Sequence, residues 1–184
     1  GIVAEVKNRR LEPLWDRFID ECDADGQADL YGIEALVERC RMEAGEVLVE
    51  MVPRPLDRED VRRGRVGFQV RVLEPDYLDA SRDGVVGRDG SEGSVRHGIQ
   101  YDAMNRVVGY WLFNEHPGSV KTFASIRAAG LRSRFVKAEN VLHLFRRLRP
   151  GQTRGVTDFA PVMLRMRDLD DYDDAEVMRK KIEA

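Results

Sequence analysis

The densest group of chemically capable side chains runs from Asp168 to Glu176: Asp168, Asp170, Asp171, Asp173, Asp174 and Glu176. Two or three carboxylates on one helix face can hold magnesium for phosphoryl chemistry. Asp170 and Asp174 are four apart, and Asp171 and Asp174 three apart, so each pair shares a face of a helix. The activity this would support is a metal-dependent nuclease. That activity also needs a lysine or similar group beside the carboxylates and a cleft around them. The competing reading is an acidic helix face set against a basic partner surface, which relieves the repulsion between like charges at that spacing. Arg146, Arg147, Arg149 and Arg154 form such a surface just upstream. The same four arginines suit DNA phosphates, through charge and forked donors and without sequence readout.

Other candidate chemistry is thinner. His97, His116 and His143 are scattered and lack the short spacings of a zinc site. His143 sits inside an alternating apolar run and reads as a structural residue. Asp23-Ala24-Asp25-Gly26-Gln27-Ala28-Asp29 invites a calcium loop, but Gly26 is the fourth position from Asp23 where such a loop needs glycine at the sixth. A turn with Asp29 capping the next helix is the simpler reading. The glycines between Asp79 and Gly93 have no strand before them, helix after them, or terminal Lys with Ser or Thr, so they do not make a phosphate loop. No Gly-x-Ser-x-Gly elbow is present. Nothing calls for a cofactor, and no catalytic constellation emerges, which favours a structural protein over an enzyme.

The elements that must carry these residues follow from periodicity. Pro13 to Cys22 places Leu14, Trp15, Phe18 and Ile19 on one helical face, with Gly1 to Asn8 extended or frayed before it. Leu30 to Ala44 is a second helix, ended by Gly45. Val47 to Val52 is a central strand, Pro53 to Gly64 a charged loop, and Phe68 to Leu73 a half-buried strand. A turn at Glu74-Pro75-Asp76 leads to a flexible loop from Asp79 to Gly93. Val95 to Tyr101 and Val107 to Phe113 form a hairpin around Asp102-Ala103-Met104-Asn105. Ser119 to Arg134 has no clear period, Arg134-Phe135-Val136 is a strand edge, and Val141 to Phe145 is a short strand. After the basic loop, Thr157 or Asp158 caps a last helix with Pro161 in its first turn. Met163, Met166, Leu169, Tyr172, Ala175, Met178 and Ile182 recur at three or four and predict one apolar stripe. Nothing stops this helix before Ala184, so the chain reads as a piece of a longer polypeptide.

The 184 residues are 42% hydrophobic, enough for a core, and 34% charged, above the usual quarter. The net charge of −3 exerts no global pull on nucleic acid, so any DNA contact is local. No run is long enough to cross a bilayer, and Cys22 and Cys40 read as reduced, buried thiols. The residues predict an α+β fold: a mixed small sheet of about six strands with three packed helices, ending in a long helix that leaves the globule.

Several stretches carry a resemblance. Arg149-Pro150-Gly151-Gln152, Arg154-Gly155-Val156, Phe159-Ala160-Pro161-Val162 and Leu164 through Glu176 closely resemble portal proteins of tailed bacteriophages, of the lambda type. Cys22-Asp23-Ala24-Asp25-Gly26, Leu73-Glu74-Pro75-Asp76, Gly98-Ile99-Gln100-Tyr101-Asp102 and Glu115-His116-Pro117-Gly118 fall in that family's order. Where the family often has a Pro-Trp pair after the Gly-Val, this chain has Thr157-Asp158-Phe159. The resemblance implies a homo-oligomeric ring, typically dodecameric, at one capsid vertex, through which double-stranded DNA is packaged and ejected. It implies residues 1–155 as a wing-like domain and 156–184 as the start of a helix toward a stem. It implies capsid and scaffold, terminase, and head-completion or tail-connector proteins as partners. Synthesis would be in the host cytoplasm and the final location the virion; no membrane is involved. A prophage-derived interaction module is a third reading the residues leave open.

Overall fold

A computed structural model describes residues 2–84, 93–119 and 132–183, with side chains from residue 11 onward. The elements are α1 (Ile2–Glu21), α2 (Leu30–Ala44), β1 (Glu46–Pro53), α3 (Arg58–Arg62), β2 (Phe68–Leu73), β3 (Ser94–Arg96), β4 (Ile99–Tyr101), β5 (Val107–Phe113), β6 (Ser133–Lys137), β7 (Val141–Phe145) and, as the last helix, α4 (Met163–Glu183). The class is α+β, with the strands divided between two small antiparallel sheets, ordered β2-β1-β7 and β3-β4-β5-β6.

The two sheets face each other across the core. Leu48, Leu73 and Val141 enter it from the first sheet, and Ile99, Tyr101, Tyr110, Leu112 and Val136 from the second. β1 is the central strand of the first sheet, buried from Glu46 through Glu50. A strand buried on both faces needs apolar side chains on both. Leu48 points to the opposite sheet, while Val47 and Val49 lie on the other face, where α2 packs on β1. Asp29 caps α2 by accepting from the Gly32 N–H, and Gly45 ends it at φ 88°. Asp23 accepts backbone N–H bonds from Asp25, Gln27 and Ala28. Its oxygens thus build a turn, not a cation loop.

Several local expectations are corrected. The first helix begins at Ile2 and runs through Pro13, where a frayed start and a boundary were expected. Proline removes one helical hydrogen bond. The strong helix formers around it (Ala4, Glu5, Lys7, Arg9, Arg10, Leu11 and Glu12) outweigh that loss. The charged loop after β1 contains α3, whose start is a capping box between Asp57 and Asp60. The run Val95 to Tyr101 is broken into β3 and β4 by His97 and Gly98, with φ 50° and 81°. Two consecutive positive φ angles make the tight turn that matches strand twist. The following hairpin forms as expected, with Asp102 accepting from the Met104 and Arg106 N–H groups and Asn105 at φ 60°. Much of the loop expected between Asp79 and Gly93, and most of Ser119 to Arg134, lie outside the described residues.

The last helix starts later than expected. Thr157 Oγ1 accepts from the Phe159 N–H, and a turn over 158–162 precedes α4 at Met163. The single apolar stripe does not form. Three helical residues turn about 300°, so each step of three slips roughly 60°. The sequence of threes from Met163 to Met178 therefore winds around the axis. Accordingly Leu164, Met166, Leu169, Tyr172, Met178 and Ile182 are all exposed, and α4 buries no residue.

Candidate functional site

The inner face of β1 carries two buried carboxylates, Glu46 and Glu50, on either side of Leu48. Each is answered by an arginine from a distant segment. Arg134 on β6 grips Glu50 with two parallel bonds of 2.7 Å, tying one sheet to the other. Such a fork-to-fork pair fixes orientation as well as charge. Glu46 accepts from Arg154 Nε, from the Gly155 N–H at 2.7 Å, and from His143 Nε2 at 2.9 Å. The His143 ring stands edge-on to Tyr110, with centroids 5.7 Å apart. Burial alone would raise the Glu46 carboxyl pKa, but the bonds from His143, Gly155 and Arg154 outweigh it and hold the value below 4.5, its ordinary position.

These contacts form a joint between the body and α4. Gly45 and Gly155 cross so closely that a Cβ on Gly155 would lie 2.1 Å from the Gly45 carbonyl oxygen. Two residues on, the Thr157 hydroxyl donates to the Met42 carbonyl at 3.0 Å, and the Asp158 N–H donates to the same oxygen at 3.2 Å. A helix leaves its last carbonyls without intrahelical donors; the end of α2 finds its donors here. The Asp158 carboxylate also pairs with Arg41 at 3.2 Å. The residues 154–158 are thus strapped to the α2–β1 corner, and the strap sets where α4 leaves the body.

The sequence-predicted site residues separate into three places. Arg154 turns inward onto Glu46. Arg146, Arg147 and Arg149 stay exposed on the loop after β7, next to Leu148, which is also exposed, and no carboxylate pairs with them among the described residues. Asp170, Asp171 and Asp174 share one exposed face of α4, also without an ion pair among the described residues. The structure does not bring the arginine loop and the acidic helix together within one chain.

Two polar clusters escaped the sequence reading. Asp79, 4% exposed, accepts from Ser81, Arg82 and Ser133, so that although burial would raise its carboxyl pKa, these bonds lower it. Arg82 also lies over the Trp111 ring at 3.9 Å. This ties the turn after Leu78 to β5 and β6. Elsewhere Glu74, Asp76 and His116 bring one ligand atom each within 4.8 Å of one another. The Gly118 N–H donates to His116 Nδ1 at 3.0 Å. The ring proton of a neutral imidazole then sits on Nε2, with a Glu74 carboxylate oxygen 3.2 Å away. A metal needs a ring nitrogen lone pair, and with Nδ1 accepting from Gly118 and Nε2 protonated the ring has none to give.

Among the described residues the body thus presents an unpaired basic loop and a helix that buries no residue. No described helix is long and apolar enough to cross a membrane. Comparison with curated proteins gave no match. Residues 1–184 match the family model described as phage portal protein, lambda family. The match spans the whole chain, strap and α4 included, and this chain belongs to the lambda family of phage portal proteins, structural components of the virion.

Proposed function

We propose that the chain is one subunit of the portal ring at a single capsid vertex. Double-stranded DNA passes through the ring during packaging and ejection, and terminase and head-completion proteins dock on it. Residues 1–155 act as the wing-like body, and 156–184 begin a helix heading toward the stem. The observation that carries this reading is α4: a helix of 21 residues that buries none of them. Most helical stability in proteins comes from packing an apolar face, so this helix is built to be covered by something else. The unpaired Arg146, Arg147 and Arg149 offer the opposite charge to its Asp170, Asp171 and Asp174. Contacts between neighbouring subunits bring these together.

Charge reversal at one exposed arginine tests this. Arg147→Glu is expected to weaken self-association of the intact protein roughly tenfold, read by sedimentation velocity and electron microscopy. Unchanged assembly would count against an arginine-mediated contact.

No specific observation favours the nuclease. Its carboxylates sit on a helix with no buried residue, whereas metal-assisted phosphoryl chemistry works in a shaped, water-excluding site. Incubating the protein with plasmid and magnesium is expected to leave the plasmid intact. Nicking lost in Asp170→Asn and Asp174→Asn variants would reverse that conclusion.

A further inference from the structure

A cleft of about 350 Å³ opens beside β7, walled by Tyr101, Tyr110, His143, Phe145, Arg147 and Gln152. Its floor is aromatic and well buried, with Tyr101 and Tyr110 each 5% exposed. Its rim carries one cation, Arg147, exposed and without a carboxylate partner among the described residues. An aromatic floor with a positive rim fits a bulky apolar side chain on an acidic segment. Aromatic anchors in such pockets dominate interface energies, and opposite charges at the rim steer them in.

The chain itself carries such a segment. On α4, Leu169 and Tyr172 are 60% and 61% exposed. At about 100° per residue they lie within roughly 60° of each other, with Asp173 on the same side. Asp170 and Asp174 follow about 60° and 100° round from Asp173, so they flank this side, and Asp171 lies furthest from it. Within one subunit α4 leaves the body by the strap, and among the described residues no side-chain hydrogen bond or ion pair joins it to the cleft. We propose that the cleft receives α4 of a second copy of this chain, Leu169 and Tyr172 seated on the tyrosines and Asp173 paired with Arg147. The proposal rests on the ring reading above and names where one subunit holds the next.

Two measurements on the intact protein test it. Mixing a Val107→Cys copy with a Tyr172→Cys copy under mild oxidation should give a covalent dimer, because Val107 lines the cleft and is 39% exposed. Either copy alone should give none, which controls for Cys22 and Cys40. Second, Asp173→Arg should weaken association roughly tenfold, and combining it with Arg147→Glu should restore most of the loss. If copies assemble but neither the cross-link nor the rescue appears, this docking site is wrong while the ring reading stands. If the copies do not associate at all, both fall.

Discussion

Replacing Glu46 by alanine is expected to destabilise the protein by about 3 kcal/mol. The carboxylate is the common acceptor for Arg154, His143 and the Gly155 N–H. Removing one partner of a buried ion pair costs about 3–5 kcal/mol, because the remaining groups stay desolvated. Arg154 keeps 29% of its side chain exposed and can turn to water, so the lower end applies. His143 and the Gly155 N–H have no such escape. For a chain of this size the melting temperature should fall by roughly 6–12 °C. Hydrogen exchange should rise most at 154–158, the segment the carboxylate holds. A loss below about 1 kcal/mol, or exchange that rises evenly over the body, would show that Glu46 does not hold the strap.

The same residue predicts the acid response. The folded-state pKa of Glu46 is lowered, so the unfolded chain takes up the proton first as pH falls. Its stabilisation is complete above the ordinary value of 4.5 and is lost as pH drops through the folded value. The protein with Glu46 should lose stability over that range, and Glu46→Ala should show a shallower loss. Asp79 shifts in the same direction, so some acid dependence remains in the variant.

Gly155→Ala carries the second large effect, a destabilisation of about 3 kcal/mol, at the upper end for overpacking. The added methyl would lie 2.1 Å from the Gly45 oxygen and 2.5 Å from its carbonyl carbon. Backbone atoms, not a flexible side-chain tip, stand in the way, so the strap must move. Moving it breaks the Gly155 bond to Glu46 and the two bonds to the Met42 carbonyl. Gly45→Ala meets the same crossing from the other side, its Cβ 2.3 Å from the Val156 carbonyl carbon, and adds left-handed strain at φ 88°. The double variant should therefore lose less than the sum of the two, because the shared contact breaks only once. Urea titration of the four proteins measures this. Simple additivity, or a Gly155→Ala loss below about 0.5 kcal/mol, would mean the two glycines do not share a crossing.

Much of the body was legible because local rules act over short distances. The Asp29 cap and the Gly45 stop bound α2 as read. The Asp102 hairpin forms because a short acidic side chain satisfies two backbone donors by itself. Val47 to Val52 reads as central because apolar residues on both faces suit a strand covered twice. His97-Gly98 was visible as a pair but its turn was missed, since alternation across Val95 to Tyr101 looked like one strand. The apolar residues of α4 were legible as helical, but counting by threes hid their slip around the axis.

The residues of the chain by themselves determined the class of fold, most element boundaries, the basic loop, the acidic helix and the family, all of which depend on composition and on neighbours a few positions away. Only the tertiary structure decided which charges are structural. It drew Arg154 inward to Glu46, left Arg146, Arg147 and Arg149 outside, and set Gly45 against Gly155. The physical reason is separation: Glu46 and Arg154 stand 108 positions apart, and Glu50 and Arg134 84 apart. No period or spacing links such pairs, and an arginine five places from a solvent-facing one looks the same in sequence until a buried carboxylate is folded against it.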